Sequence, residues 1–124
     1  MGGMDIKLYA IVSNEAVDAS NGNRGKMIAQ SGHAYLHSFL DSLARFPSDA
    51  KAYLDSGIVA KICLRASEET LHQLSRIYKD KCGVFLVKDA GLTVFPRPMI
   101  TALGIGPIRP ADREEILANL KGFV

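Results

Sequence analysis

The sequence predicts an α/β fold, a single-domain layered structure in which a mixed four-stranded sheet is flanked by helices. Short apolar runs rich in β-branched residues recur along the chain, and the segments between them place apolar residues at three- and four-residue steps. A length of 124 residues, 48% of them hydrophobic and 23% charged, suits one domain with its own core, so residues 1–124 read as one unit.

Ile6 to Val12 is the first apolar run and reads as a buried strand. Asn14 to Gly25 turns polar, with Asn21-Gly22-Asn23 marking a loop. From Lys26 to Phe46, Ile28, Leu36, Phe39, Leu43 and Phe46 keep the helical period, and Pro47 ends it. Ser48 is expected to cap a short helix through Tyr53 and Leu54, with Gly57 as its left-handed exit. Ile58 to Leu64 reads as the second strand. Ser67 then opens a helix with Glu68 and Glu69 in its first turn, where carboxylates suit the helix dipole, and Leu71, Leu74 and Tyr78 turn inward. Gly83 follows that helix and leads into a strand from Val84 to Val87. Asp89-Ala90-Gly91 is a turn, Phe95 to Pro98 is irregular, and Thr101 to Ile105 is the fourth strand. Ile116, Leu117, Leu120 and Phe123 suggest a closing helix with Pro110 in its first turn.

Several classes drop out. A net charge of +2 is too mild for a dedicated nucleic-acid binder, so any basic patch has to be local. Cys63 and Cys82 show no paired-motif spacing, which fits a reducing, cytoplasmic setting, with Cys63 as a small core residue. The N-terminus lacks a signal-peptide layout, and no apolar run is long enough to span a membrane. Residues 1–4 are expected to be disordered or to include residues added ahead of a natural start at Met4.

On the first long helix Lys26, Gln30, His33 and His37 are spaced four, three and four, an arc of roughly 60° at about 100° per residue. The stripe borders the apolar arc, where side chains can line a partly desolvated cleft; a solvated helix flank would have the same spacing. His33 and His37 could grip a metal, but no third ligand follows at a recognised interval. Lys26 lies in the first helical turn, where free amides attract anions, and is otherwise an ordinary surface lysine. Asp89 follows a strand at its carboxyl end, the edge where open α/β sheets bind ligands, although Asp-Ala-Gly is also ordinary turn chemistry. Gly104-Ile105-Gly106-Pro107 is half a dinucleotide fingerprint without its third glycine, and those glycines better suit close backbone approach.

Taken together, Gly25-Lys26-Met27-Ile28-Ala29-Gln30-Ser31-Gly32-His33-Ala34, Asp89-Ala90-Gly91-Leu92-Thr93 and Thr101-Ala102-Leu103-Gly104-Ile105-Gly106-Pro107 resemble the three signatures of type II peptidyl-tRNA hydrolases. The resemblance spans Ile6 to Phe123. It implies a homodimeric α/β enzyme that hydrolyses the ester of peptidyl-tRNA without a metal or an organic cofactor. It promotes Lys26, Asp89, Thr93 and Thr101 to catalytic candidates and Gln30 and His33 to substrate-binding ones; Arg24 and Arg97, basic residues in or beside the motifs, are read as substrate-binding as well. In that scheme Asp89 orients or deprotonates water, Lys26 stabilises the oxyanion, the threonine hydroxyls position water or carbonyl, and Gln30 and His33 hold their neighbours. A covalent route is disfavoured because Ser31 faces away from the stripe. Lys88 and Arg109, like Arg24, Lys26 and Arg97, are expected to gather positive charge near the cleft. Two departures stand out: Val94 replaces the family's usual glutamine, and Arg97-Pro98 replaces a glycine followed by a small hydroxyl residue. They leave open a catalytically weak relative that binds tRNA or a protein.

Overall fold

The computed structural model describes residues 5–124, so the expectation for residues 1–4 lies outside the described residues. In chain order the elements are β1 (Lys7–Ser13), α1 (Asn14–Ala19), α2 (Arg24–Arg45), α3 (Pro47–Asp55), β2 (Lys61–Ala66), α4 (Glu68–Tyr78), β3 (Val84–Asp89) and β4 (Met99–Ile108). A 3₁₀ turn at Pro110–Asp112, α5 (Glu115–Ala118) and β5 (Lys121–Gly122) complete the chain. The sheet order is β3-β4-β1-β2-β5; β1 and β2 are parallel, and the other neighbours are antiparallel. The α/β class and the mixed sheet agree with the sequence reading, but the strand count is five rather than four.

The fifth strand corrects the closing helix. Only one turn, α5, forms; Leu117 is buried, and the chain then extends so that Lys121 and Gly122 pair with Arg65 and Leu64. Another correction is α1, within the expected loop. Ser13 accepts the Ala16 amide at 3.1 Å and caps a helix of six residues, while the turn is confined to Asn21 and Gly22 at φ 53° and 82°. The second strand starts later than expected, at Lys61, because Val59 sits at φ 45° and breaks the extended run. The fourth strand is longer than expected, from Met99 to Ile108. The short helix starts at Pro47 with no side-chain cap, so Ser48 lies inside it. Ser67 does cap α4, accepting the Thr70 amide at 3.2 Å, and Leu71, Leu74 and Tyr78 are fully buried.

One sheet face is covered by α4, with Tyr9, Ile11, Leu64, Leu103 and Ile105 beneath it. The other is crossed by α2, and here the burial reverses the expected pattern. Ile28, Leu36 and Leu43, expected to point inward, are about half exposed or more, and Leu40 joins them. The buried face of α2 is Met27, Gln30, Ser31, Ala34, Ser38 and Ser42. Small side chains let the helix rest directly on the sheet. A Cβ on Gly104 would lie 2.1 Å from the Ala34 carbonyl oxygen, and one on Gly83 would lie 2.3 Å from that of Ser38. Ser38 Oγ donates to the carbonyls of Gly106 at 2.8 Å and Gly83 at 3.2 Å, tying the helix to both strands. The glycines of the third motif therefore serve close approach, as expected. No helix among the described residues is long and apolar enough to cross a membrane.

Candidate active site

The seating of α2 brings its first turns over the carboxyl end of β3 and the start of β4. Asn23 caps the helix, its Oδ1 accepting the Lys26 amide at 2.9 Å. That amide is therefore not available to an anion, and the Lys26 side chain turns to the sheet. Lys26 Nζ lies 2.8 Å from Asp89 Oδ1 and 5.5 Å from the centre of the buried Phe95 ring. The Lys26 and Asp89 side chains are 20% and 12% exposed, so the pair is shielded yet reachable. Asp89, the last residue of β3 rather than a loop residue beyond it, uses its other oxygen to accept the Gly91 amide at 2.8 Å.

Each of these partners acts on the Asp89 carboxyl. The Lys26 ammonium, then the Gly91 amide, hold it below the usual carboxylate range against the opposing effect of burial, and His33 adds to the lowering. A carboxylate whose proton affinity is reduced is a poorer base. It is better suited to holding Lys26 and orienting a water than to taking a proton.

One turn on, Gln30 is buried on the same helix, and its Oε1 accepts the Thr101 hydroxyl at 2.5 Å. Thr101 is wholly buried; the Val87 carbonyl, 3.5 Å from the same hydroxyl, is its other neighbour. With Oε1 engaged, the Gln30 amide nitrogen is the end left for another partner. The structure thus joins the first motif to the second through Lys26 and Asp89, and to the third through Gln30 and Thr101. Thr101 reaches the cleft only through Gln30.

The remaining candidates are spread around this centre. His33 is exposed on the same flank of α2, and its ring centre is 6.3 Å from that of His37. Arg24 is exposed at the start of α2. Thr93 and Arg97 are exposed on the loop after β3, which folds back so that its Arg97-Pro98 backbone meets Gly91. A Cβ on Gly91 would come within 2.3 Å of the Arg97 carbonyl carbon, and φ there is 77°, so this position requires glycine. Val94 is half-buried. Arg109 departs from expectation: it follows the far end of β4, where its Nε donates to Asp49 at 2.9 Å, so it adds no charge to the cleft. Ser31 is buried and donates to the Met27 carbonyl, turned from the stripe as expected.

Sequence reasoning missed Asn23 and Phe95. Asn23 stands three residues before Lys26, the spacing of a capping side chain, but was absorbed into the Asn-Gly-Asn turn. Phe95 lies in an irregular segment where periodicity carries no signal.

A mixed sheet flanked by helices thus carries a shielded ammonium–carboxylate pair and a buried amide–hydroxyl pair where β3 ends and β4 begins. Residues 6–123 match the family described as peptidyl-tRNA hydrolase PTH2. The chain is 28% identical over 119 residues to a peptidyl-tRNA hydrolase of Methanocaldococcus jannaschii, covering 94% of this chain and 98% of that relative. It is 32% identical over 99 residues to one from Methanopyrus kandleri, covering 79% and 84%, and 30% over 99 residues to one from Methanococcus vannielii, covering 79% and 85%. The chain belongs to the peptidyl-tRNA hydrolase PTH2 family.

Proposed function

We propose that the protein hydrolyses the ester bond of peptidyl-tRNA, releasing the peptide and free tRNA for recycling, in the cleft centred on Lys26 and Asp89. The observation that supports this most directly is the meeting of three sequence-distant motifs at one strand end, through the Lys26–Asp89 pair and the Gln30–Thr101 bond. In the reaction the water oxygen bonds to the ester carbonyl carbon, the carbonyl oxygen takes up negative charge, and the bond to the ribose oxygen breaks. The ribose oxygen leaves with one proton, and the new carboxylic acid releases the other to solvent.

Lys26 faces the oxyanion, because its ammonium is the cation held in the cleft by two neighbours, Asp89 and the Phe95 ring. Asp89 holds that ammonium in place and orients the attacking water, its lowered proton affinity favouring this role over proton abstraction. Gln30, fixed by Thr101, offers amide donors to the substrate carbonyl, so Thr101 is a positioning residue. Thr93 contacts the substrate from the loop. Arg24, Arg97 and His33 take the phosphates and ribose of the tRNA end, whereas Lys88, paired with Ile100, alternates to the α4 face of the sheet.

The protein acts in the cytoplasm, where translation supplies its substrate, and as a homodimer. A second copy has a surface to cover on the outer face of α2, where Leu36, Leu40 and Leu43 are about half exposed and Leu36 adjoins the equally exposed Leu54 of α3.

The test is incubation with an N-acetylated aminoacyl-tRNA beside an unblocked aminoacyl-tRNA control. Release of tRNA from the blocked substrate, at a rate that falls steeply with added salt, is the expected result. Val94 in place of a polar residue favours the rival reading of a weak relative. Salt-sensitive tRNA binding without ester cleavage would select that rival.

A further inference from the structure

Beyond the catalytic centre, α2 and β3 run side by side in opposite directions. At one end stands the Lys26–Asp89 pair. At the other, Asp41 accepts the Val84 amide at 2.9 Å and is held by Arg45, whose guanidinium makes a two-pronged contact at 2.9 and 2.6 Å. Between these ties His37 stacks on Phe85, ring centres 4.5 Å apart and planes inclined by 25°. Phe85 is 39% exposed on β3, one of the two edge strands of the sheet. A single exposed phenylalanine is ordinary on a protein surface. This one is paired with a second flat ring, on the flank of α2 that carries Lys26 and His33.

Building on the function proposed above, we propose that the His37–Phe85 pair is a stacking platform for a base of the single-stranded 3′ end of the tRNA. Three turns of helix separate Lys26 from His37, ~16 Å at 1.5 Å per residue. A stacked strand advances ~3.4 Å per nucleotide and an extended one more, so a tail of a few nucleotides whose terminal ester lies at Lys26 reaches the pair. Stacking on flat side chains accepts any base, because every base has a π face, and this suits an end common to all tRNAs. His33 lies between the two points on the same flank. The assignment divides the labour along one helix: Lys26 holds the reacting end, and His37 with Phe85 sets how far the tail enters.

The test compares the wild type with Phe85→Ala, His37→Ala, Phe85→Leu and Phe85→Tyr on two substrates. One is an N-acetylated aminoacyl-tRNA, the other an N-acetylated aminoacyl ester of adenosine, which has no tail. On the tRNA substrate KM is expected to rise about tenfold in Phe85→Ala and His37→Ala with kcat little changed, the scale of one lost base stack. Phe85→Tyr, which keeps the ring, retains the wild-type KM. Phe85→Leu, which keeps apolar bulk and protects the fold, behaves like Phe85→Ala. On the adenosine ester KM does not move. In parallel, a deacylated RNA hairpin carrying 2-aminopurine in its 3′ tail should lose fluorescence on binding the wild type and not on binding Phe85→Leu. This binding measurement needs no turnover, so it separates failure of the platform from failure of the hydrolase reading. Unchanged KM and unchanged quenching in Phe85→Leu would overturn the proposal. So would a loss that grows with peptide length while the fluorescent tail is unaffected, which would assign the pair to the peptide.

Discussion

Replacing Asp89 by Asn tests the centre of the site, because the native carboxylate uses both oxygens, one toward Lys26 Nζ and one toward the Gly91 amide, each at 2.8 Å. An amide has one acceptor oxygen and presents N–H groups on its other side. Whichever way Asn turns, it meets one of these two donors with a donor, so one bond is lost and the ammonium loses its counter-charge. A charge-assisted hydrogen bond contributes about 1.5–3 kcal/mol, and partial exposure of the pair places the loss toward the lower end. For a domain of this size that lowers Tm by about 4–8 °C without unfolding the protein. The kinetic cost is larger, because Lys26 is no longer aimed: single-turnover hydrolysis of N-acetylated aminoacyl-tRNA should slow about 10²-fold or more. The stability difference also has a definite pH dependence. The Asp89 carboxyl titrates below its ordinary value in the folded protein, so its contribution is present above the unfolded value of ~3.9 and is lost as pH falls through the lower, folded value. The Tm gap between wild type and Asp89→Asn should therefore be constant above about pH 5 and close below about pH 4. A folded Asp89→Asn protein that hydrolyses the substrate within about threefold of wild type would refute the reasoning, since general-base or positioning roles are worth more than that.

Other substitutions probe the scaffold. Thr101→Val keeps the volume but removes the hydroxyl from Gln30; hydrolysis should slow about tenfold or more, with a stability loss of about 1–2 kcal/mol in urea unfolding. Gly104→Ala would push a methyl against the Ala34 carbonyl and Ser38, lowering stability by about 3 kcal/mol or more and slowing hydrolysis by displacing α2. Ser42→Ala should be neutral or stabilise by up to about 1 kcal/mol, because the Ser42 hydroxyl is buried with no hydrogen-bond partner among the described residues.

The elements most legible in the sequence were those whose signals are local. Ser67 with two glutamates marks the start of α4, and its apolar residues recur at helical steps, so both its ends and its buried face could be read directly. The α2 span was equally clear, but its buried face was not. Ala34, Ser38 and Ser42 carry almost no hydrophobic signal; they face the sheet because Gly104 and Gly83, far along the chain, leave room for a helix backbone and for nothing larger. The stronger apolar residues were consequently assigned inward and lie outside. β5 escaped because two residues have no periodicity, and their pairing depends on the exposed edge of β2. In the candidate site, the Lys26–Asp89 and Gln30–Thr101 pairings bring together residues named from motifs alone. Their division of labour was not legible, since burial of Thr101 and occupation of both Asp89 oxygens are tertiary facts.

The direct seating of α2 on β4 has a mechanical consequence. Most helices ride on a layer of side chains whose rotamers can take up small displacements, which gives the joint some compliance. At Gly104 the gap between strand and helix has no room even for a methyl group, so the joint behaves as a hard stop. Tilting or sliding of α2 during substrate entry must then pivot about that stop, and motion at one flank of the helix is transmitted to the other with opposite sign. The flank bearing Lys26 and His37 and the flank bearing Tyr35 and Phe39, which packs beside Tyr53 of α3, are two arms of one lever. Whatever settles on the second arm sets the width of the cleft beneath the first.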